Sequence, residues 1–310
     1  MAKYLVTGGA GFIGSNIVEA LVKKGEQVRV LDNLSAGFIE NLTPIMDKID
    51  FIKGDIRNTP DVKKALNGID YVIHQAALRS VAKSVDAPFE THDVNATGTL
   101  NMVIYAREEK VKRMVYASTS AAYGDSDVYP QTEDFQTNPL SPYGVSKLAG
   151  ELYCRMASAT LGLETVSLRY FNVYGPRQNP ESQYSAVIPA FIEKLQNNKP
   201  CTIDGEGKQE RDFVYVGDVA RANIAACTAK GVSGKFFNVG TGESYSVLDV
   251  AETLKKIMGK SIDNLYGERR PGDPDRTYAD ITKLKNILGV EPKTSFDEGL
   301  KKTVEWFSAK

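Results

Sequence analysis

Short apolar runs alternating with amphipathic stretches dominate the first half of the chain. Tyr4-Leu5-Val6 leads into a glycine-rich turn, and a helical pattern follows from Asn16 to Val22. Gln27 to Leu31 is a second apolar run, ending in Asp32. Asp50 to Lys53 and Tyr71 to His74 read as further short strands, with a short helix between them from Asp61 to Leu66. From Pro88 to Glu109, Val94, Leu100, Val103 and Ile104 make a helical stripe, and Met114 to Ser118 is a fifth strand. Strands and helices that alternate in this way predict an α/β fold with a doubly wound parallel sheet.

Beyond about residue 170 the pattern changes. Prolines 176, 180, 189 and 200 interrupt it, and Asp204-Gly205-Glu206-Gly207 reads as a loop. A strand (Phe213 to Val216), a helix starting near Asp218 and another strand (Phe236 to Gly240) then resume. Val247 to Met258 reads as a helix capped by Ser246, with Asp249 three residues on. A charged, proline-rich loop (Arg269 to Pro274) precedes a short helix, Ile281 to Leu288. No polar linker separates the halves. The expectation is a cofactor-binding part over residues 1–170, rejoined by a segment at about 210–240, and a smaller interleaved α/β part over 171–310. The ligand cleft should lie between them.

Composition narrows the partners. Lys plus Arg (38) nearly balance Asp plus Glu (39), for a net charge of −1, which favours neither nucleic acid nor an anionic membrane. Cys154, Cys201 and Cys227 are odd in number and scattered, and with only His74 and His92 they lack metal-site spacing. They read as thiols in a reducing compartment. The start, Met1-Ala2-Lys3-Tyr4, goes straight into the first strand, and no run is long enough to span a bilayer. A cytoplasmic location is expected, with no metal.

The chemistry begins at Gly8-Gly9-Ala10-Gly11-Phe12-Ile13-Gly14. A strand, a glycine turn and a helix N-terminus let backbone amides approach a pyrophosphate, which is the Rossmann-type dinucleotide arrangement. Asp32, at the end of the second strand, stands where an acid meets an adenosine ribose. Asn33-Leu34-Ser35 carries no base to accept a 2′-phosphate, so NAD is expected over NADP. Small residues after the fourth strand, Gln75-Ala76-Ala77, suit a ligand passing close to the backbone. Tyr143 and Lys147 are four apart, on one face of a helix. A cation beside a phenol favours phenolate and makes it a usable base. Ser118-Thr119-Ser120, ending the fifth strand, can hydrogen-bond a substrate hydroxyl.

As a set, the glycine turn, Asp32, Gly54-Asp55-Ile56-Arg57, Ser118 to Gly124, Tyr143/Lys147 and Arg169-Tyr170-Phe171-Asn172-Val173-Tyr174-Gly175 resemble the extended short-chain dehydrogenase/reductases. Within that superfamily the chain is most similar to the UDP-hexose 4-epimerases, over essentially its whole length. The resemblance implies that Tyr143 exchanges a proton with the sugar 4-hydroxyl and that Lys147 lowers the Tyr143 pKa and holds the nicotinamide ribose. Thr119 takes the family's catalytic Ser/Thr position. It places NAD against Gly8, Gly11, Phe12, Ile13, Gly14, Asp32, Asn33, Ser35, Gly37, Asp55, Ile56, Gln75, Ala76, Ala77, Arg79, Asn95, Ser118 and Phe171. It places the nucleotide-sugar against Thr119, Ser120, Tyr143, Asn172, Gln178, Ala186, Val187, Arg211, Arg270, Asp273 and Thr277. Arg211 and Arg270 would grip the diphosphate and Asp273 the uridine ribose. The family's habit is a homodimer through two long helices, here Pro88 to Glu109 and Pro142 to Leu161.

Residues also separate the subfamilies. The 4,6-dehydratases carry an Asp-Glu pair after the catalytic Thr, and UDP-glucuronate decarboxylases carry a Glu nearby. Here Ser120, Ala121 and Ala122 stand there, which disfavours both. Thr277 falls where epimerases restricted to plain hexoses carry a bulky Tyr. The stretch from Arg177 to Pro189 is similar to the branch preferring UDP-N-acetylglucosamine, whereas Arg79 departs from that branch's Gly. The expectation is interconversion of UDP-GlcNAc and UDP-GalNAc, with UDP-Glc and UDP-Gal also turned over. The other readings are a related UDP-glucuronate epimerase, decarboxylase or 4,6-dehydratase, and an NAD(P)-sensing regulator. The last usually loses the Tyr or the Lys, and both are present.

Overall fold

The computed structural model describes residues 1–126, 128–179, 187–269 and 275–309. Seven strands form one parallel sheet: β1 (Lys3–Thr7), β2 (Gln27–Asp32), β3 (Ile49–Lys53), β4 (Tyr71–His74), β5 (Arg113–Thr119), β6 (Glu164–Tyr170) and β7 (Lys235–Val239). Their spatial order is β3-β2-β1-β4-β5-β6-β7. Every pairing is parallel, with Tyr4 opposite Val28 on one side and Tyr71 on the other. The direction in which successive strands are added reverses between β1 and β4, and a crevice at such a switch point, outside the carboxyl ends of the strands, is where ligands bind. Helices cover both faces, so the central strands are buried along nearly their whole length. All seven residues of β5 are buried.

The long helices are α1 (Phe12–Lys23), α2 (Gly98–Glu108), α3 (Pro142–Met156) and α4 (Val216–Thr228). The stripe predicted as one helix from Pro88 to Glu109 is interrupted. A helical turn, Pro88–His92, passes through a π-turn at Asp93–Thr97 before α2 begins. The extra residue in that turn places Asn95 inward, where its side chain is used below. The helix read as Pro142 to Leu161 likewise ends in a π-turn, Ala157–Leu161, closed by Gly162 in the left-handed region. The Ser246/Asp249 cap of Val247–Met258 is a reciprocal capping box.

The second core packs Val187–Gln196, Val247–Met258 and Phe296–Ser308 around Tyr174, Phe213 and Phe296. Its small strands are anchored on the large sheet's edge, where Asn172–Tyr174 pairs in parallel with Phe213–Tyr215. Among the described residues no helix is long and apolar enough to cross a membrane, and no His/Cys/Asp/Glu group could hold a metal. The three cysteines are free and buried.

One polar relay crosses the sheet beneath the crevice. Thr99 donates to the Asn95 carbonyl (2.6 Å), so it accepts from Nε2 of the buried His74 (3.1 Å). Nδ1 then accepts from the Thr7 hydroxyl (2.6 Å), which also receives the Ala76 amide (3.2 Å). The imidazole is therefore neutral, and burial pushes its pKa down to about 3. Between pH 6.5 and 3 the unfolded chain binds a proton at His74 that the folded protein does not, so stability falls with acid across that window. Replacing His74 with Gln should remove up to ~1.4 kcal/mol per pH unit of that slope. Urea unfolding midpoints of both proteins, measured from pH 7 to 4, check this.

Candidate active site

Parallel strands end together, so residues distant in sequence collect at one edge. Gly8 follows β1, Asp32 ends β2, Gln75-Ala76-Ala77 follow β4, Thr119 ends β5 and Phe171 follows β6. Gly8 turns the chain with φ +66°, and a Cβ at Gly14 would lie 2.1 Å from the Gly8 carbonyl oxygen. The turn and helix can therefore close only on glycine. Gly11 caps α1 in an extended conformation, with no side chain bonded to the helix amides. Phe12, Ile13 and Gly14 open the helix, and its first amides are left to a ligand.

Asp32 does more than the sequence suggested. Its carboxylate accepts the Ala10 amide (2.9 Å) and the Leu34 amide (2.8 Å), bracing the glycine turn against the loop after β2. Burial pushes its pKa up, and those two bonds oppose the rise. Gly37 packs on Ala10, and the Phe38 amide bonds the Ala10 carbonyl at 3.0 Å. Asn33 accepts the Ser35 amide (3.0 Å) and donates to Asp55 (2.9 Å). The Arg57 guanidinium, 2.8 Å from Asp55, holds that carboxyl well below the usual range. Ile56 is buried against Gly98 of α2. A cradle of uncapped amides, with a carboxylate at the β2 end and no base on Asn33-Leu34-Ser35, fits a dinucleotide such as NAD.

Along β4 two predicted contacts serve the framework. The Gln75 amide donates to the Tyr170 hydroxyl (2.9 Å) and to Asn223 (3.1 Å), tying β4 to β6 and α4. Asn95 receives the Leu78 amide (2.8 Å) and donates to the Leu78 carbonyl (2.9 Å) and Ser146 (3.1 Å). It clamps the loop of Ala76 and Ala77 to α3. Ser118 likewise turns inward, donating to Glu151 at 2.8 Å. Glu151 in turn holds Arg169 through two bonds, of 3.0 and 2.6 Å, in a fully buried pair.

Ser141 caps α3, and the Tyr143 amide donates to Ser84 at 3.1 Å. The Tyr143 phenol lies next to Thr119, whose hydroxyl receives the Ala121 amide (3.1 Å). Ser120 opens the turn beyond. The expectation of a phenol lowered toward neutrality differs from this structure. Burial raises the Tyr143 pKa, and the Thr119 hydroxyl and the charge of Arg79 only partly offset it. A desolvated phenolate needs more positive charge than the protein alone brings to it. Arg79 is exposed as a whole residue, on the loop beside Tyr143, yet crowding of its tip is the larger influence and pulls its pKa down. Burial also lowers Lys147, to about 7, and its ammonium lies 4.3 Å from the centroid of the Tyr116 ring.

On the substrate side the structure gathers Asn172, Arg211 and Thr277 about buried Asp212. The Asn172 amide bonds the Asp212 carbonyl (2.9 Å), the Asp212 amide bonds the Thr277 carbonyl (2.8 Å), and Thr277 sits opposite Arg211 in a parallel pairing. The Asp212 carboxylate accepts from the Thr241 amide and hydroxyl (2.7 and 2.8 Å), the Gly242 amide (3.0 Å) and the Ala279 amide (3.2 Å). Arg211 donates to the Glu210 carbonyl at 2.7 Å. Buried Gln178 donates to the Val173 carbonyl (3.2 Å), buried Phe171 bonds the Val239 carbonyl through its amide (3.0 Å), and Val187 opens a helix. Ala186, Arg270 and Asp273 lie outside the described residues.

Sequence reasoning passed over Tyr116, His74, the Glu151–Arg169 pair and Asp212. Glu151 carried a usable signal, because it stands one helical turn beyond Lys147 on the same face. The other three depend on contacts between distant segments.

Comparisons with known proteins agree with this geometry. The sequence model of the NAD dependent epimerase/dehydratase family matches residues 4–240. A UDP-glucose 4-epimerase of Mycolicibacterium smegmatis is 37% identical over 315 residues, 99% of this chain and 98% of its own. A UDP-glucuronate 4-epimerase of Thermodesulfobacterium geofontis is also 37% identical, over 99% and 96%. The solved UDP-N-acetylglucosamine 4-epimerase of Methanobrevibacter ruminantium, in complex with UDP-N-acetylmuramic acid, superposes with a TM-score of 0.95 at 38% identity, covering 99% and 98%. A family match over more than half the chain, with relatives aligned end to end, makes this protein a member of the NAD-dependent epimerase/dehydratase family.

Proposed function

We propose that the protein is a UDP-sugar 4-epimerase that uses tightly held NAD and acts on UDP-GlcNAc/UDP-GalNAc as well as UDP-Glc/UDP-Gal. The observation that carries this is the placing of the Tyr143 phenol next to Thr119 at the carboxyl end of β5, facing a dinucleotide cradle, with Ser120-Ala121-Ala122 supplying no acid. Residues 1–170, with the returning segment at about 210–240, would hold the cofactor, and 171–310 the nucleotide-sugar. Bound NAD supplies a hydride acceptor, and later a donor, at C4. The protein supplies the rest. Tyr143 takes the 4-hydroxyl proton as the alcohol is oxidised to a ketone and returns it when hydride comes back to the opposite face. Thr119 holds the oxygen, and Lys147 keeps positive charge beside the phenol. Between the two transfers the ketone must turn over while its diphosphate stays anchored, a task suited to the Arg211 side of the cleft.

Elimination or decarboxylation needs a further proton donor, and none stands after Thr119. A redox-silent sensor would not need Tyr143 placed next to Thr119, or a buried lysine. The Methanobrevibacter relative supports N-acetylated substrates. Thr277, small and half-buried opposite Arg211, favours the same reading, since a short side chain obstructs such a group less than a Tyr would. The Thermodesulfobacterium relative and the cation of Arg79 beside Tyr143 favour UDP-glucuronate as a second substrate to assay.

We also infer a homodimer. Val85, Phe89, Val145 and Leu152 are exposed on neighbouring helices, with Phe89 89% open to solvent. Large apolar side chains gathered on one surface suit a partner.

Purified protein given no added cofactor should invert C4 of both UDP-GlcNAc and UDP-Glc by NMR. Tyr143→Phe should lower both rates at least ~100-fold. Glucose turnover without GlcNAc turnover would overturn the wider specificity. Thr277→Tyr should abolish activity on the N-acetyl sugars and spare the plain hexoses, as steady-state kinetics on each pair would show. Sedimentation should give a dimer for the wild-type protein and a monomer for Phe89→Glu.

A further inference from the structure

Lys147 poses a physical problem. Only 3% of the residue's surface is exposed, and the contact shown for its ammonium among the described residues is a ring, not a carboxylate. A desolvated ammonium without compensation sheds its proton. The groups around it are few. His74, from β4, is neutral because Nδ1 accepts the Thr7 hydroxyl. Glu151, one turn along α3, is bonded to Arg169 of β6 and to Ser118; it makes no contact with the ammonium, and its charge offsets the burial of Lys147 only in part. Cys154 is a buried thiol whose pKa is pushed up to about 12, and Tyr143 faces Thr119.

What remains is Tyr116. Its ring centroid lies 4.3 Å from Nζ, within the range in which an aromatic face attracts a cation. The ring is fixed on three sides. Its hydroxyl donates to the Lys147 carbonyl at 3.1 Å. The His74 ring packs at 5.8 Å between centroids. Gly150 leaves the room the phenol fills, since a Cβ there would lie 2.3 Å from the Tyr116 oxygen. Burial keeps that phenol protonated, so the ring stays a neutral π surface.

We propose that Tyr116 is a positioning residue for the catalytic lysine: its ring seats the Lys147 ammonium, and its hydroxyl fastens that seat to the helix bearing Tyr143 and Lys147. The seat holds the charge next to the base and keeps the lysine protonated where burial alone would discharge it. This rests on the epimerase reading only in assigning Lys147 a role in turnover. The contact itself is independent of the reaction.

The test separates the two. In substrate-free protein labelled with 13C at lysine Cε, the Lys147 signal (assigned with Lys147→Arg) should be shifted upfield by the ring and should titrate. In Tyr116→Leu the ring-current shift should vanish, and the titration should move about one pH unit toward acid. In Tyr116→Phe, which keeps the ring, the upfield shift should remain and the titration move less. For turnover, the alkaline limb of the pH profile should move acidward in the same order. A Tyr116→Leu protein that folds but leaves the shift and titration unchanged overturns the proposal. Should that variant not fold, phenylalanines carrying one to three ring fluorines at position 116 weaken the π face at constant shape. The titration must then fall stepwise with fluorination, and a flat series is equally fatal. If the NMR behaviour holds while no UDP-sugar is turned over, the seat stands and the epimerase reading fails.

Discussion

Everything catalytic in this protein depends on how closely α3 lies on β5. A helix on a sheet normally stands off by its side chains, but here the helix approaches until Gly150 meets the Tyr116 phenol and Ser118 reaches Glu151. The approach is set by the sequence. Gly150 faces the strand, and the larger residues Lys147 and Glu151 have fixed partners there, Tyr116 and Ser118. The consequence is geometric. Tyr143 and Lys147 reach the carboxyl edge of the sheet beside Thr119, the last residue of the strand they lie on. Strand, helix and base form one rigid block, the condition under which a proton-transfer geometry can be held before substrate arrives.

That closeness has an electrostatic cost. Three ionisable groups at the edge are desolvated, and each responds in the direction burial dictates. His74 stays neutral, Tyr143 resists ionisation, and Lys147 tends to lose its proton. The fold offsets this unevenly. His74 has a hydroxyl at each nitrogen, and Glu151 has Arg169. Tyr143 and Lys147, by contrast, are left with partial compensation from Thr119, Arg79 and an aromatic face. Groups that structure alone would satisfy are satisfied, and the two that must act on a ligand are not. Incomplete compensation at these two positions is what a site completed by its ligands should show.

The parallel sheet, its strand-helix alternation and the glycine turn were legible because they rest on local rules: apolar periodicity, glycine spacing and an acid at a strand end. Strand β6 was less so. Glu164–Tyr170 was noticed as part of a motif but not as a strand, because Ser167 and Arg169 break its apolar run; both are buried, Arg169 only because Glu151 neutralises it. The C-terminal helix Phe296–Ser308 was passed over for a similar reason. Its charged outer face hides an apolar stripe that only the second core uses. Gln75, Asn95 and Ser118 were read as cofactor contacts, and in the structure their side chains bond Asn223, Leu78 and Glu151. Sequence locates a residue on an element; the partner that claims its side chain comes from a segment far away in the chain.

Asp212 shows how the two parts of the molecule are made to register. Its carboxylate collects bonds from Thr241, Gly242 and Ala279, and its backbone joins Asn172 to Thr277. Three segments distant in the chain are thus fixed to one buried acid, and with them Arg211 and Thr277 are set side by side. Burial raises the Asp212 pKa while its hydrogen bonds pull it down, so the carboxylate is held by donors rather than by a counter-charge. A hub of this kind keeps the positions of Arg211 and Thr277 constant whatever side chains they carry. If Thr277 sets substrate choice as proposed above, that choice can change there without disturbing the sheet, the glycine turn or the Tyr143–Thr119 pair. One scaffold can in this way serve relatives that act on glucose, N-acetylglucosamine and glucuronate derivatives.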